Sequence, residues 1–387
     1  MQIHTITTAS EFSDFCTHLL GQSWIAVDTE FTRENSYFPQ LCLLQVATDR
    51  YIGLIDPFSV TDLNALRPVL ESITITKVFH AAAQDLEILY QSFGTATQQV
   101  FDTQLAATLL GLGNQIGYAR LVQELLGTRL HKTQTRTDWS RRPLSKAQLE
   151  YAADDVRFLY QLYPVIVDAL ADKGRSDWLK SDLARLSDPD HFTPDPDQLW
   201  RKIKGHQRLP GSSLAVLQKL AVWRDQAARR ANKPRKHIIR DDLLIEIARR
   251  KPRSSEALRS MALVPNHLAK QQLGEIVDAV DTALALSPEQ WPSIPKYREL
   301  TKQQELLVDA LMTVMKWAAD RHDISTDIVG TRKDLQKMLA DDTSAGLWHG
   351  WRYEYIGRHI KRFYDGNAQL VNRDGKIELE PLHEPGQ

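Results

Sequence analysis

The stretch WIAVDTEF, residues 24–31, runs three apolar residues, Ile25, Ala26 and Val27, directly into two acids, Asp28 and Glu30. Side chains alternate faces along a strand, so both carboxylates point the same way. Placed together they repel, and desolvating them is costly unless a cation sits between them. A divalent metal meets that need, and all-oxygen ligation favours Mg²⁺ or Mn²⁺ over zinc. A lone D-x-E is a weak signal, because the same residues would serve as a solvent-exposed strand end.

Working outward, residues 41–48, 51–56 and 76–80 also read as strands, and 24–31, 41–48 and 51–56 are close enough in sequence to neighbour one another. Asp102 reads as the N-cap of the helix TQLAATLL, with Gly111 just past its end. Ser145 and Gln148 form a capping-box pattern ahead of KAQLEYAADDVRFLYQLY. Strands followed by alternating strand and helix predict an α/β mixed-sheet domain. The Pro- and Asp-rich segment 186–198 reads as a linker, and beyond it strand signals nearly vanish. The expected division is a first domain over 1–185, helical bundles over 199–283 and 297–371 joined by a linker at 284–296, and a loose tail at 372–387.

Two further acids join the first pair. Asp85 falls early in a helix that follows a strand, where an acid also suits the helix dipole. In EYAADDVRFL, Tyr151 and Asp155 are four apart and share a helical face, opposite a stripe of Leu149, Val156, Tyr160 and Tyr163. Asp154 lies about 100° around the helix and reads as solvated. Taken singly, each of these has an ordinary structural reading.

Together, D-x-E, a downstream Asp and a late Y-x₃-D resemble the DEDD exonuclease superfamily in its tyrosine-bearing branch. A sister branch has histidine in place of Tyr151, and no His occurs between His131 and His191. The segment KTQTRTDWSRRPLSKAQLEYAADDVRFLY narrows the resemblance to the ribonuclease D family. That resemblance implies a ribonuclease H-like nuclease fold and catalytic residues Asp28, Glu30, Asp85, Tyr151 and Asp155. It implies two divalent ions, Mg²⁺ or Mn²⁺, about 3.5–4 Å apart, clamping the attacking and leaving oxygens. Asp28 would lie between the ions, Glu30 and Asp155 would complete one site, and Asp85 would hold the other. Tyr151 would orient the attacking water, since a phenol titrating near 10 positions better than it deprotonates. The implied reaction releases nucleoside 5′-monophosphates from the 3′ end of RNA, in transfer-RNA 3′ maturation and small-RNA trimming.

The chain's near-neutral charge hides an asymmetry. Residues 1–190 carry 16 Lys and Arg against 23 Asp and Glu, whereas residues 200–270 carry 18 against 5. The basic segment has helical apolar spacing at Leu217, Leu220 and Trp223 and resembles the HRDC module. The stretch around DIVGTRKDL resembles a second copy, but residues 297–372 balance at 11 and 11. Phosphate contacts are therefore expected from Arg229, Arg230, Lys233, Arg235 and Lys236. Lys132, Arg136, Arg141 and Arg142 are expected near the phosphate path if their loop borders the cleft. Trp139 is expected to plug that loop onto the domain, and Phe31 and Tyr37 either pack or stack on a nucleotide.

No run of 18 apolar residues occurs, so no membrane span is expected. The N-terminal segment lacks the pattern of a signal peptide. Two cysteines, Cys16 and Cys42, suit a reducing cytoplasm. The expected partner is RNA with a free 3′ end, transfer-RNA precursors above all, with no obligate protein partner implied. Two alternatives stay open on the residues alone: a DNA exonuclease or proofreading module, and an inert nucleic-acid-binding scaffold.

Overall fold

The computed structural model describes residues 1–130, 134, 137–262, 264–265, 268–294 and 300–382. Six strands form one sheet: β1 (Gln2–Ile6), β2 (Trp24–Thr32), β3 (Gln40–Ala47), β4 (Tyr51–Ile55), β5 (Thr76–Phe79) and β6 (Val100–Asp102). Their order is β1-β4-β3-β2-β5-β6, and β3 alone runs against its neighbours. The two edge strands escape a reading by hydrophobic pattern: β1 is mostly exposed and β6 has three residues.

Alternation along β2 sorts the sheet's two faces. Ala26 belongs to one core with α4 (Thr103–Leu109), α5 (Tyr118–Leu126) and α6 (Lys146–Asp172). Ile25 and Val27 belong to the opposite core with α1 (Ala9–Leu19), α2 (Arg67–Glu71) and α3 (Ala83–Phe93). Asp28 and Glu30 therefore project toward α6, and Thr29 toward α3.

The cap at Ser145 starts α6: its hydroxyl accepts from the Gln148 N–H, and the Gln148 side chain accepts from the Ser145 N–H. The helix continues through Pro164 to Asp172, nine residues beyond the expected segment. It is buried around more of its girth than one stripe: Val156, Leu159 and Leu162 are buried, while Trp24 stacks on Tyr160 with ring centroids 5.1 Å apart.

After the short helix α7 (Lys180–Leu186), Phe192 of the linker packs on Tyr90. The first helical region comprises α8 (Gly211–Ala231), α9 (Arg235–Ile238), α10 (Asp241–Arg250), α11 (Ser255–Arg259) and α12 (Lys270–Leu284). These close around their own core of Trp200, Leu217, Leu244, Ile276 and Val280.

The second helical region is built differently. Its helices, α13 (Lys302–Asp320), α14 (Arg332–Met338), α15 (Gly350–Arg352) and α16 (Arg358–Tyr364), share one continuous core with the nuclease sheet. Trp351 stacks on Trp178 at 4.5 Å with planes 5° apart, and Arg352 pairs with Asp182 at 2.9 Å. It is thus not a bundle with a core of its own. The tail also departs from expectation. Residues 368–381 form a hairpin of β7 (Ala368–Arg373) and β8 (Lys376–Pro381), with Leu370 and Leu379 against the shared core. Its turn is Asp374-Gly375, both at positive φ, the pattern of a tight two-residue hairpin. Among the described residues no helix is long and apolar enough to cross a membrane.

Candidate active site

Three of the expected acids meet in one place. Carboxylate oxygens of Asp28, Glu30 and Asp155 lie within 4.8 Å of one another. They line a cleft of about 240 Å³ together with Thr29, His80, Tyr118, Tyr151 and Leu159. Strand alternation supplies the first two acids, and the third turn of α6 supplies the third. Asp85 approaches from the other face of the sheet. The hydroxyl of Thr29 donates to its Oδ1 at 2.5 Å, so the residue between the paired acids holds the fourth one. The charge of Asp85 is felt by both Asp28 and Glu30.

Crowding of buried acids without a counter-charge raises every pKa in the group. Burial pushes Glu30 up to about 8, with Asp155 and Asp85 adding to it. Burial likewise lifts Asp85 and Asp155 to about 7; Thr29 opposes the shift at Asp85, and a hydrogen bond from Tyr151 opposes it at Asp155. Asp28 is held well above the usual carboxylate range by burial and by Asp85, Asp155 and Glu30. An all-oxygen set of acids that raise one another's pKa is the donor set a hard divalent cation fits.

Tyr151 shares its helix face with Asp155 and bonds to it through the phenol, as the four-residue spacing suggests. Its ring is 6.1 Å from that of Trp139, which is buried in the domain core.

The opposite wall was not read from the sequence as part of the site. Tyr118, from α5, donates its hydroxyl to the main-chain carbonyls of Asp155 at 2.5 Å and Asp154 at 3.1 Å. His80 stands 5.4 Å from it, with Nδ1 3.0 Å from Thr103 Oγ1. Both depend on partners 23 to 37 residues away, which no local pattern reveals.

The cations expected to meet phosphate divide by partner. Lys132 and Arg136 lie outside the described residues. Arg142 is an internal anchor: its guanidinium bonds both Asp56 carboxylate oxygens at 2.8 Å and the carbonyls of Cys42 and Trp139. Arg141 is exposed, with only a 3.9 Å approach to Asp138. Arg229 and Arg235 both pair with buried Asp225 and lie over the ring of Tyr37. The Tyr37 hydroxyl donates to Asp225 at 2.8 Å, and the Asn232 side chain accepts from the N–H groups of Tyr37 and Phe38. Tyr37 thus ties the nuclease domain to the first helical region. Arg230 pairs with Glu275 at 2.9 Å. Lys233 and Lys236 are exposed.

Known proteins share both sequence and fold with this chain. Residues 3–171 match the 3′–5′ exonuclease family and residues 213–280 match the HRDC domain. The chain is 36% identical to ribonuclease D of Sphingobium indicum, over 98% of this chain and 99% of that one. It is 35% identical to ribonuclease D of Nitrobacter hamburgensis, over 96% and 98%. Its fold is similar to RNase D of Escherichia coli, described as an exoribonuclease involved in structured RNA processing. That match has a TM-score of 0.82 at 28% identity, covering 95% of this chain and 99% of that one. A paired-acid strand, a tyrosine-bearing helix that closes over it, and relatives matched along nearly the whole chain lead to one assignment: this protein belongs to the ribonuclease D family and is a 3′–5′ exoribonuclease.

Proposed function

We propose that Asp28, Glu30 and Asp155 hold one divalent cation, Mg²⁺ or Mn²⁺, and that Asp85 with Asp28 holds a second. The meeting of Asp28, Glu30 and Asp155 oxygens within 4.8 Å carries this reading. Bound cations would stabilise the charge that develops on the attacking and leaving oxygens of the phosphodiester. The protein's share is placement. Thr29 fixes Asp85, Tyr118 fixes the backbone at Asp155, and Tyr151, anchored on Asp155, directs its hydroxyl to the attacking water. Nucleoside 5′-monophosphates leave singly from the 3′ end.

The substrates would be transfer-RNA precursors and other small structured RNAs, met in the cytoplasm without an obligate protein partner. Of the cations expected at the RNA, Arg141, Lys233 and Lys236 keep the most freedom to meet phosphate. The boundaries 1–185, 199–283 and 297–371 delimit a nuclease domain, an HRDC-like module and a second, diverged copy docked on the nuclease core.

Digesting an RNA with an extended 3′ tail tests the chemistry. With Mg²⁺ or Mn²⁺ the expected products are 5′-monophosphates appearing in order from the 3′ end. Asp28→Asn should cut at least about 100-fold more slowly while still binding the RNA. Products bearing 3′-phosphates, or a variant cutting at the wild-type rate, would overturn the reading. A matched DNA strand measures sugar preference in the same assay.

A further inference from the structure

We propose that α16 and the end of α13 form a second phosphate-binding surface, one that takes the folded body of the RNA rather than its 3′ end. This rests on the exoribonuclease reading above. Arg358 and Arg362 lie four apart on α16, hence on one face, and both are exposed. Among the described residues neither has an acidic partner, although like charges at this spacing repel. Arg321, at the end of α13, lies over Trp317 at 5.1 Å, and His359 meets the same indole edge-on at 5.4 Å. Glu378 lies 3.7 Å from Arg321 and accepts from the Trp317 indole at 3.3 Å, and the charge of Asp323 reaches Arg175.

The arginines act on one spot. The fields of Arg321 and Arg358 both reach His322 and His359, and Arg362 also reaches His359. Arg175 adds to the same field at His322, and its guanidinium is satisfied by the carbonyls of Leu109 and His322, not by an acid. Cations grouped beside half-buried aromatic rings suit a nucleic-acid backbone. The contrast with the first helical region is instructive. That region is far more basic, yet Arg229, Arg230 and Arg235 are engaged by Asp225 and Glu275. Net charge by segment therefore does not by itself say which arginines are available, although Lys233 and Lys236 of that region stay exposed.

Distance decides which part of the RNA this surface can meet. Arg175 lies just past the end of α6, and Asp155 to Asp172 is seventeen residues, about 25 Å along the helix axis. A contact so far from the cleft reaches the body of a structured RNA, not the nucleotide being removed.

The test is the salt dependence of affinity for an RNA hairpin with a short 3′ tail, measured in EDTA so that nothing is cut. Neutralising two phosphate contacts on a duplex should flatten the slope of log K against log salt by about 1.8. Arg358→Gln/Arg362→Gln should show that loss, and Arg373→Gln, which removes a cation already paired with Glu380 on the hairpin, should not. Equal thermal midpoints confirm that the variants are folded. If the double variant keeps the wild-type slope, or Arg373→Gln flattens it as much, the surface is not a phosphate site. If the wild type itself shows no salt-dependent binding to RNA, the exoribonuclease reading fails with it.

Discussion

At the scale of single residues, the site stores protons that a cation would displace. Glu30 is raised from its ordinary 4.5 to about 8, and Asp85 and Asp155 from 3.8 to about 7. The folded chain therefore binds these protons more tightly than the unfolded chain does. Their contribution to stability is fully present below the ordinary values and is lost as pH rises through about 7 to 8. Without metal, the thermal midpoint should fall from pH 5 to pH 8.5. Metal reverses the balance, because ligation needs the carboxylates ionised. The rise in midpoint on adding Mn²⁺ should be larger at pH 8 than at pH 6, measured by calorimetry at fixed free metal. A gain independent of pH would show that these acids do not hold the ion. Much of this was legible in the sequence. The D-x-E and Y-x₃-D spacings put side chains on common faces by local geometry alone. Thr29, Tyr118 and His80 were not, since each acts through a partner on another element. For Thr29 a signal existed: a hydroxyl between two acids on a strand must point to the face they leave.

At the scale of elements, α6 matters because Tyr151 and Asp155 ride its first turns. Its start is fixed by the reciprocal bonds of Ser145 and Gln148, which the sequence announces three residues apart. Ser145→Ala leaves an N-terminal donor without its partner and should cost about 1 kcal/mol of stability. Fraying of that turn should also slow cutting, so a thermal midpoint and a turnover number measured together check the idea. Unchanged turnover would mean that Tyr118, bonded to the carbonyls of Asp154 and Asp155, holds the helix unaided. Elements were legible where their signals are local, as in β2 and the capped helices, whereas the hairpin about Asp374-Gly375 was not, because its strands carry few apolar residues. The role of Tyr37 was not. Its partners Asp225, Arg229 and Arg235 lie some 190 residues away, and in sequence those arginines look like free cations.

At the scale of the whole molecule, two helical regions of similar length relate to the nuclease domain in opposite ways. The first closes its own core, with Trp200, Trp223, Leu244 and Ile276 buried among its own helices and Trp291 and Ile294 packed on from the segment that follows. Tyr37 is the partly buried apolar residue that joins this core from the nuclease domain. The second has its apolar side chains, Val308, Leu311, Met315 and Ile360 among them, in one cluster with Leu109, Leu170 and Trp178 of the nuclease domain. Burial of that surface is what stabilises a helix face, so a piece cut away from its partner face loses most of its driving force. Expressed alone, residues 199–294 should unfold in a single cooperative transition followed by circular dichroism. Residues 300–382 alone should show none, because Trp351 and the inner faces of α13 and α16 would stand in water. Hydrophobic periodicity gave both regions the same helical signature, since it reports that a face is buried and not against what. A sharp, cooperative transition in the isolated 300–382 fragment would show that its helices supply a sufficient core by themselves, and that the contact with Trp178 is a docking surface between independent bodies.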